Sequence, residues 1–253
     1  MGCIDQPFML NGGNWNMCGR KYADEELNWA EYREALSIIS PAPQDNFPPN
    51  YNIAPTMNVP VGLSRSDGKG AHTRVLERMR WGLVPHWAKD LKIGAKMINA
   101  RSETLTEKPS FASLVKSNRC IIPVSGFYEW QRKGTGKSAS KQAYKITRRD
   151  GQPMLFGGLW TTHPGFEINS YSVITTAATA AFEPIHHRLP LILEQDSVDR
   201  WLDGEWDDAK NLIHPAEADI AAVRISNDVG NVRNNYPELL NPLPQGSLFP
   251  EEH

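Results

Sequence analysis

Residues 120–130 read CIIPVSGFYEW, and this stretch decides the fold. Cys120 to Val124 and Phe127 to Gln131 are two short segments of strand character, rich in β-branched and aromatic residues. Working outward, the same character marks Val59 to Leu63, Val75 to Trp81, Ala143 to Thr147, Met154 to Trp160 and Tyr171 to Thr176. Helical spacing is rarer. A helix is expected to start at Asp24, a good N-cap residue, and to bury Trp29, Tyr32, Leu36 and Ile39 before Ser40-Pro41 stops it. Two shorter helical pieces carry Phe111, Leu114 and Val115, and then Val198, Trp201 and Leu202, the latter ending at Gly204. Many short strands, few helices and no regular strand-helix alternation predict a mainly antiparallel α+β fold, not a doubly wound one.

No GxGxxG or Walker loop is present, and no internal repeat is visible. The segment KGTGKSASK at 133–141 reads as a mobile hairpin loop, and NPLPQGSLFPEEH at 241–253 as an irregular C-terminal strap. The chain has 253 residues, 40% hydrophobic and 22% charged, which excludes collagen, coiled coil and wholesale disorder. Charges or prolines interrupt every apolar run before the roughly 18 residues of a membrane span. With 27 basic and 29 acidic side chains the net charge is −2, so a polyanion binder working by bulk charge is not expected, although a local basic pocket is compatible. Cys3, Cys18 and Cys120 show neither disulfide nor zinc spacing, which indicates a reducing, cytoplasmic setting.

Several short segments bring together residue types that do chemistry. In Met17-Cys18-Gly19-Arg20, a cysteine at the chain terminus would be a 1,2-aminothiol. Its amine, with a pKa near ~7.7, and its thiol, near ~8.5, would both be partly available at neutral pH. Such a pair captures an aldehyde as an imine and closes it to a five-membered thiazolidine. A buried, inert cysteine is the plain alternative. Residues 99–103, NARSE, combine amide, guanidinium and carboxylate, a set that can orient a nucleophile and hold a phosphate or else form a turn with a surface ion pair. Glu129 lies in an aromatic strand segment where poor solvation suits a carboxylate to proton transfer; a solvent-facing edge position is the alternative. In His186-His187 one imidazole can work in a site while the other faces away, because neighbours in extended backbone point apart. The histidines and cysteines match no zinc spacing, so no metal and no cofactor is expected. Trp81 and Trp87 lie near Arg80, and Arg20, Arg101 and Arg188 fall in three other such segments. Guanidinium groups with aromatic faces are what single-stranded nucleic acid needs, though both tryptophans also suit a core.

The ordered set of motifs resembles the SOS response-associated peptidase (SRAP) family, the abasic-site processing proteins that crosslink to DNA. The matching segments are MCGR at 17–20, YNIAPT at 51–56, RWGLVPHWAKD at 80–90, NARSET at 99–104, CIIPVSGFYEW at 120–130, TTAA at 175–178, HHRLP at 186–190 and VGNVRNN at 229–235. The resemblance implies a single α+β domain with a barrel-like, largely antiparallel core, peripheral helices and a groove for single-stranded DNA. It sets the domain at 17–240, between a leader at 1–16 and the tail. By the same resemblance Cys18 forms a thiazolidine with the ring-opened aldehyde of an abasic site, and Asn99 holds the amine and thiol. Glu129 shuttles protons, and His186 assists opening of the deoxyribose. Arg20, Arg101 and Arg188 would bind phosphates near the lesion. Trp81 and neighbouring backbone would wedge into the kinked strand, and Asn52, Pro55 and Trp130 would line the pocket. The partner is single-stranded DNA with abasic sites, and a monomer is expected.

The chain departs from the family at its start. Residues 1–16 precede Met17, and they have neither a basic n-region nor an apolar h-region, while Gln6 stands where a myristoylation motif wants Ser or Thr. An internal Cys18 has an amide nitrogen, which cannot form an imine. Three explanations compete: translation starts at Met17, the leader is removed by the protein itself or another protease, or crosslinking has been lost and DNA binding kept. A misassigned or vector-extended start is favoured. Three functions compete: covalent attachment to abasic single strands with self-processing; a cysteine hydrolase using Cys18, His186 and Asn99 or Glu129; and a non-covalent single-stranded DNA-binding module.

Overall fold

Short segments with apolar residues at alternate positions pair into two sheets in the computed structural model, which describes residues 19–38, 47–66, 72–134, 140–216 and 219–244. In chain order the strands are β1 (Lys21–Ala23), β2 (Asn50–Ile53), β3 (Asn58–Ser66), β4 (His72–Trp81), β5 (Asn99–Arg101) and β6 (Arg119–Val124). They continue as β7 (Gly126–Lys133), β8 (Ser140–Arg148), β9 (Met154–His163), β10 (Ile168–Ala177), β11 (Arg188–Pro190), β12 (Ile192–Leu193) and β13 (Ile220–Arg224). The helices are short: α1 (Trp29–Ala35), α2 (Pro109–Ala112), α3 (Val198–Asp203) and α4 (Trp206–Ala209). The protein is an α+β fold, as its strand-rich pattern predicts.

One sheet runs β13-β8-β7-β1-β2. The other runs β11-β10-β4-β3-β6-β9-β12, and β9 pairs again with β10, so β10, β4, β3, β6 and β9 close into a twisted ring. All pairings are antiparallel except those of β10 with β4 and β5. Strand β10 is the hub. One of its edges takes β9 and then β11, the other takes β4 and then β5, since Val173 pairs with both Gly158 and Asn99, and Thr175 with both Pro190 and Arg101.

Every residue of β6 is buried, which a strand manages only with both faces covered. Cys120, Ile122 and Val124 face a core shared with Val61, Met79, Trp81, Phe127, Phe156 and Tyr171. Ile121 faces the opposite way, onto Leu155, Leu191 and Trp201 of the helical layer. A third cluster, built on Tyr22, Tyr51 and Tyr128, covers the far face of the five-stranded sheet. The period-2 alternation of Phe127 and Tyr128 between two clusters is what joins these layers.

The strands expected at residues 59–63, 75–81, 120–124, 127–131, 143–147, 154–160 and 171–176 all form, each with longer ends. The helix after Asp24 starts later than expected. Asn28 is the N-cap, accepting from the Ala30 amide at 2.8 Å, whereas Asp24 is taken by the Ser125 hydroxyl at 2.7 Å. Tyr32 and Leu36 are buried as predicted; the Trp29 side chain and Ile39 lie outside the described residues. Helix α3 buries Val198, Trp201 and Leu202 and is capped by Gly204. Strands β7 and β8 pair up to Lys133 and Ser140, and the hairpin tip at 135–139 lies outside the described residues. At the C-terminal side Ile225 bridges Pro242, and the Leu243 amide donates to the Arg224 carbonyl. A glycine pair shapes the turn after β4: Gly82 has φ +116°, and a Cβ there would come 2.4 Å from the Gly94 carbonyl. Among the described residues no helix is long and apolar enough to cross a membrane.

Candidate functional site

Strand β1 lies antiparallel to β7 with Lys21 opposite Phe127 and Tyr22 opposite Gly126, and the Tyr128 amide donates to the Arg20 carbonyl at 3.0 Å. Continued by two residues, this register sets Gly19 opposite Glu129. Cys18 lies outside the described residues; it is bonded to Gly19, one Cα step of ~3.8 Å away. On β7 the residues Phe127, Glu129 and Gln131 share a face. The Phe127 ring meets Phe182 at 6.2 Å between centroids, and the Gln131 amide donates to the Pro184 carbonyl at 3.0 Å. Glu129, 5% exposed, therefore faces the segment 182–186 that carries His186.

Asn99 and Arg101 lie on β5, held by its parallel pairing to β10 through Val173 and Thr175. Ala100 between them is buried in the helical-layer core, so strand alternation turns Asn99 and Arg101 to the other face. Arg101 is exposed and makes no ion pair among the described residues. The floor beneath is Trp81, whose indole N–H donates to the Ile98 carbonyl at 3.0 Å. The ammonium of Lys21 sits 4.1 Å from the Trp81 ring centroid and donates to the Tyr171 hydroxyl at 2.6 Å. Through these contacts β1 is tied to the start of β5.

His186 begins the return to β11. Its Nδ1 accepts the backbone N–H of Arg188 at 3.1 Å, and its ring stacks on His187 at 4.4 Å. Burial, reinforced by the neighbouring His187, pushes the imidazole down to about 4. At pH 7 it is neutral, and because Nδ1 is occupied as an acceptor the proton is assigned to Nε2. The Arg188 guanidinium forms a bidentate pair with Glu103, with Nη2 to Oε2 at 2.9 Å, and Nη2 also donates to the Thr175 carbonyl at 2.5 Å. Glu103 is held down at about 2, chiefly by the hydrogen bond from Arg188.

Two expected DNA contacts are corrected. Trp81 is 1% exposed and anchored from both ring and N–H, so it is a core residue and cannot wedge between bases. The exposed indole of that segment is Trp87, at 51%. Asn52, also 1% exposed, does not line a pocket. Its Nδ2 is shared among the carbonyls of Val229, Asn231 and Asn234 at 2.8–3.1 Å, and its Oδ1 accepts from Arg20 Nη1 at 3.1 Å. Arg20 in turn donates to the carbonyls of Val229 (2.8 Å) and Gly230 (3.3 Å), so both of its terminal nitrogens are engaged in the same clamp. Pro55 is half-buried at the turn that meets the Trp81 backbone through Thr56. Trp130 is half-buried against the tyrosine cluster, on the face opposite Glu129.

Asn99 and Arg101 on β5 and Arg188 on β11 thus lie either side of β10, while Glu129 on β7 faces the segment that carries His186. Sequence reasoning missed three features. The sequence shows Glu103 as a carboxylate without a partner, gives the loop 229–235 no role, and carries no signal of burial in the neighbours of Lys21. Among the described residues no three of His, Cys, Asp and Glu gather to hold a metal ion.

Comparison with known proteins bears on this arrangement. The family model described as SOS response associated peptidase (SRAP) matches residues 17–232. The abasic site processing protein YoqW of Bacillus subtilis is 38% identical over 231 residues, covering 88% of this chain and 99% of the relative. The abasic site processing protein HMCES of Xenopus tropicalis is 38% identical over 250 residues, covering 87% of this chain and 72% of the relative. Among solved structures, a protein from Bordetella bronchiseptica matches with a TM-score of 0.66 at 23% identity, over 83% of this chain and 100% of that one. A protein from Bacteroides thetaiotaomicron matches with a TM-score of 0.64 at 25% identity, over 76% of this chain and 85% of that one.

Proposed function

Because the chain belongs to the SRAP family, we propose that it acts in the response to DNA damage by binding single-stranded DNA at abasic sites and joining itself covalently to the lesion through Cys18. The supporting observation is a buried carboxylate, Glu129, next to the Tyr128 amide that bonds the Arg20 carbonyl and facing the segment that ends in a neutral His186. The α-amine of Cys18 attacks the C1′ aldehyde of the ring-opened sugar, and loss of one water gives an imine. The thiol then adds to the imine carbon, its proton passing to the nitrogen, and the thiazolidine closes. Glu129 moves the proton between these steps as general base and acid. His186 offers Nε2–H to the sugar ring oxygen during opening, and Asn99 orients amine and thiol without competing for protons.

Arg101, which is exposed, and Arg188, which is largely buried, are assigned to strand phosphates, Pro55 to the pocket wall, and exposed Trp87 takes the aromatic role expected of Trp81. An abasic position has no base to unstack, so bending the strand there costs little. The amine must be free. In a chain that carries residues before Cys18, the same carboxylate and imidazole would serve hydrolysis of the Met17–Cys18 peptide bond, a self-processing peptidase step that consumes one water and releases the aminothiol. We place the protein in the cytoplasm with DNA as its partner. If the preceding residues stay, the amide nitrogen forbids the imine and the protein is a non-covalent single-stranded DNA-binding module.

Intact-mass spectrometry tests this, with the full chain and a chain starting at Met17, before and after incubation with a single-stranded oligonucleotide carrying one abasic site. The expected product begins at Cys18 and gains the oligonucleotide mass less one water, and Cys18→Ala abolishes it. An adduct that survives Cys18→Ala removes the assigned nucleophile, and steady turnover on an unrelated peptide favours a cysteine hydrolase instead.

A further inference from the structure

Three arginines were expected to take phosphates, but they stand in different electrostatic states. Arg20 is engaged with backbone carbonyls, Arg101 is exposed and unpaired among the described residues, and Arg188 is neutralised by Glu103. The Glu103–Arg188 pair joins the turn after β5 to the first residue of β11 across the end of β10, where Thr175 pairs with one strand on each of its edges. A carboxylate receiving two parallel N–H bonds has the geometry in which guanidinium also receives a phosphate. The pair is lopsided. The Glu103 side chain is 53% exposed and that of Arg188 only 12%, so water can receive the carboxylate on separation but cannot reach the buried guanidinium as well. Arg188 Nε is also buried without a hydrogen-bond partner, so the guanidinium is not saturated where it rests.

We infer that Glu103 is a specificity-determining latch: it occupies Arg188 as an internal stand-in for phosphate and yields it to DNA only where the strand bends far enough into the site to present a phosphate in its place. This rests on the DNA-binding reading above. An intact strand resists that bend because its bases stack, and it then meets Arg101 alone. An abasic strand bends readily, and its phosphate displaces the carboxylate into water. Glu103 stays ionised at any physiological pH, since Arg188 holds it at about 2, so displacement by another anion is the route of release and titration is not. The exchange involves side-chain nitrogens only. The Arg188 backbone N–H keeps its bond to His186 Nδ1, and the imidazole keeps the tautomer proposed for ring opening.

The test uses the full chain and Glu103→Gln, which keeps the size of the side chain and removes its charge. Equilibrium binding is measured over a range of salt for an intact single strand and for one carrying a tetrahydrofuran abasic analogue, which has no aldehyde and cannot crosslink. We expect wild type to prefer the analogue strand. Glu103→Gln is expected to bind the intact strand about tenfold more tightly, with the slope of log K against log salt steeper by about 0.7, one extra phosphate contact. Its preference for the analogue shrinks accordingly. Glu103→Asp, which retains the charge, is expected to keep the wild-type slope. An unchanged slope and intact-strand affinity in Glu103→Gln overturns the latch, as does an Asp variant as steep as the Gln variant. Wild type that binds neither strand overturns the DNA reading itself and the latch with it, an outcome distinguishable from failure of the latch alone.

Discussion

Replacing Asn52 by alanine removes the centre of the clamp that holds residues 229–234 against β2. In the native protein its two amide hydrogens serve three carbonyls, and its carbonyl oxygen receives Arg20. Two neutral bonds contribute about 1 kcal/mol each, and the charge-assisted bond from Arg20 about 1.5–3 kcal/mol. The sum is about 3.5–5 kcal/mol. Because residues 231–233 are exposed, water reaches the outer carbonyls once the side chain is gone, and the expected net loss falls to about 3 kcal/mol. For a chain of this size that corresponds to a Tm lower by about 6–12 °C. Urea unfolding followed by tryptophan fluorescence measures it directly, with an unchanged m-value and a lower midpoint. A cycle with Arg20→Met isolates the shared bond, for which a coupling of about 1.5–3 kcal/mol is expected. Asn52→Asp should do no better than alanine, since an anion faces three carbonyl oxygens with one guanidinium to offset them. A loss below about 1 kcal/mol, or additive single variants, would refute the clamp and restore Asn52 as a pocket residue.

Trp81→Phe loses the N–H bond to Ile98 and part of the surface under the Lys21 ammonium, and should cost about 2–4 kcal/mol in denaturant unfolding. Trp87→Ala should leave stability within about 0.5 kcal/mol yet weaken single-strand binding by about 1–3 kcal/mol, measurable by fluorescence anisotropy. Stability should fall with acid in two steps. His186 has its folded pKa, about 4, below the unfolded value near ~6.5, so its contribution is complete above ~6.5 and lost as pH falls towards 4. Glu103 adds a loss between ~4.3 and about 2. Unfolding curves from about pH 8 to about pH 2 check both, and the first step should vanish in His186→Gln. Arg119 is buried and donates to the carbonyls of Val115, Lys116, Trp201 and Gly204, a fork that lysine cannot reproduce. Arg119→Lys should cost about 2–4 kcal/mol by urea unfolding, and a loss below about 0.5 kcal/mol would show that its bonds are replaceable.

The long strands were legible because their pattern is local. Val75 to Trp81 or Met154 to Trp160 carry enough β-branched and aromatic residues to read as strands wherever they pair. The three-residue strands β1, β5 and β11 were not legible, because two or three residues have no period to read, and each exists only because β7 or β10 offers it an edge. The start of α1 was misplaced for a related reason. Asp24 and Asn28 are both good caps, and the choice was made by Ser125, 101 residues away. At the site, residue types foretold more than roles did. Trp81 and Trp87 are alike in sequence, yet the ammonium of Lys21 and the carbonyl of Ile98 bury one and leave the other in solvent.

By itself the sequence determined the α+β class, the positions of the main strands and the set of candidate site residues, since each follows from alternation or from the order of motifs along the chain. Only the tertiary structure decided which of those groups meet. That Glu129 faces the His186 segment is a matter of register, which any one-residue slip would reverse. That Arg188 is paired and Arg101 is not depends on where β5 and β11 flank β10, and that Asn52 supports a loop depends on a contact 177 residues away. Side-chain chemistry is written locally, whereas burial and partnership are properties of packing, and in this protein it is packing that separates paired and buried groups such as Asn52 and Arg188 from exposed ones such as Arg101 and Trp87.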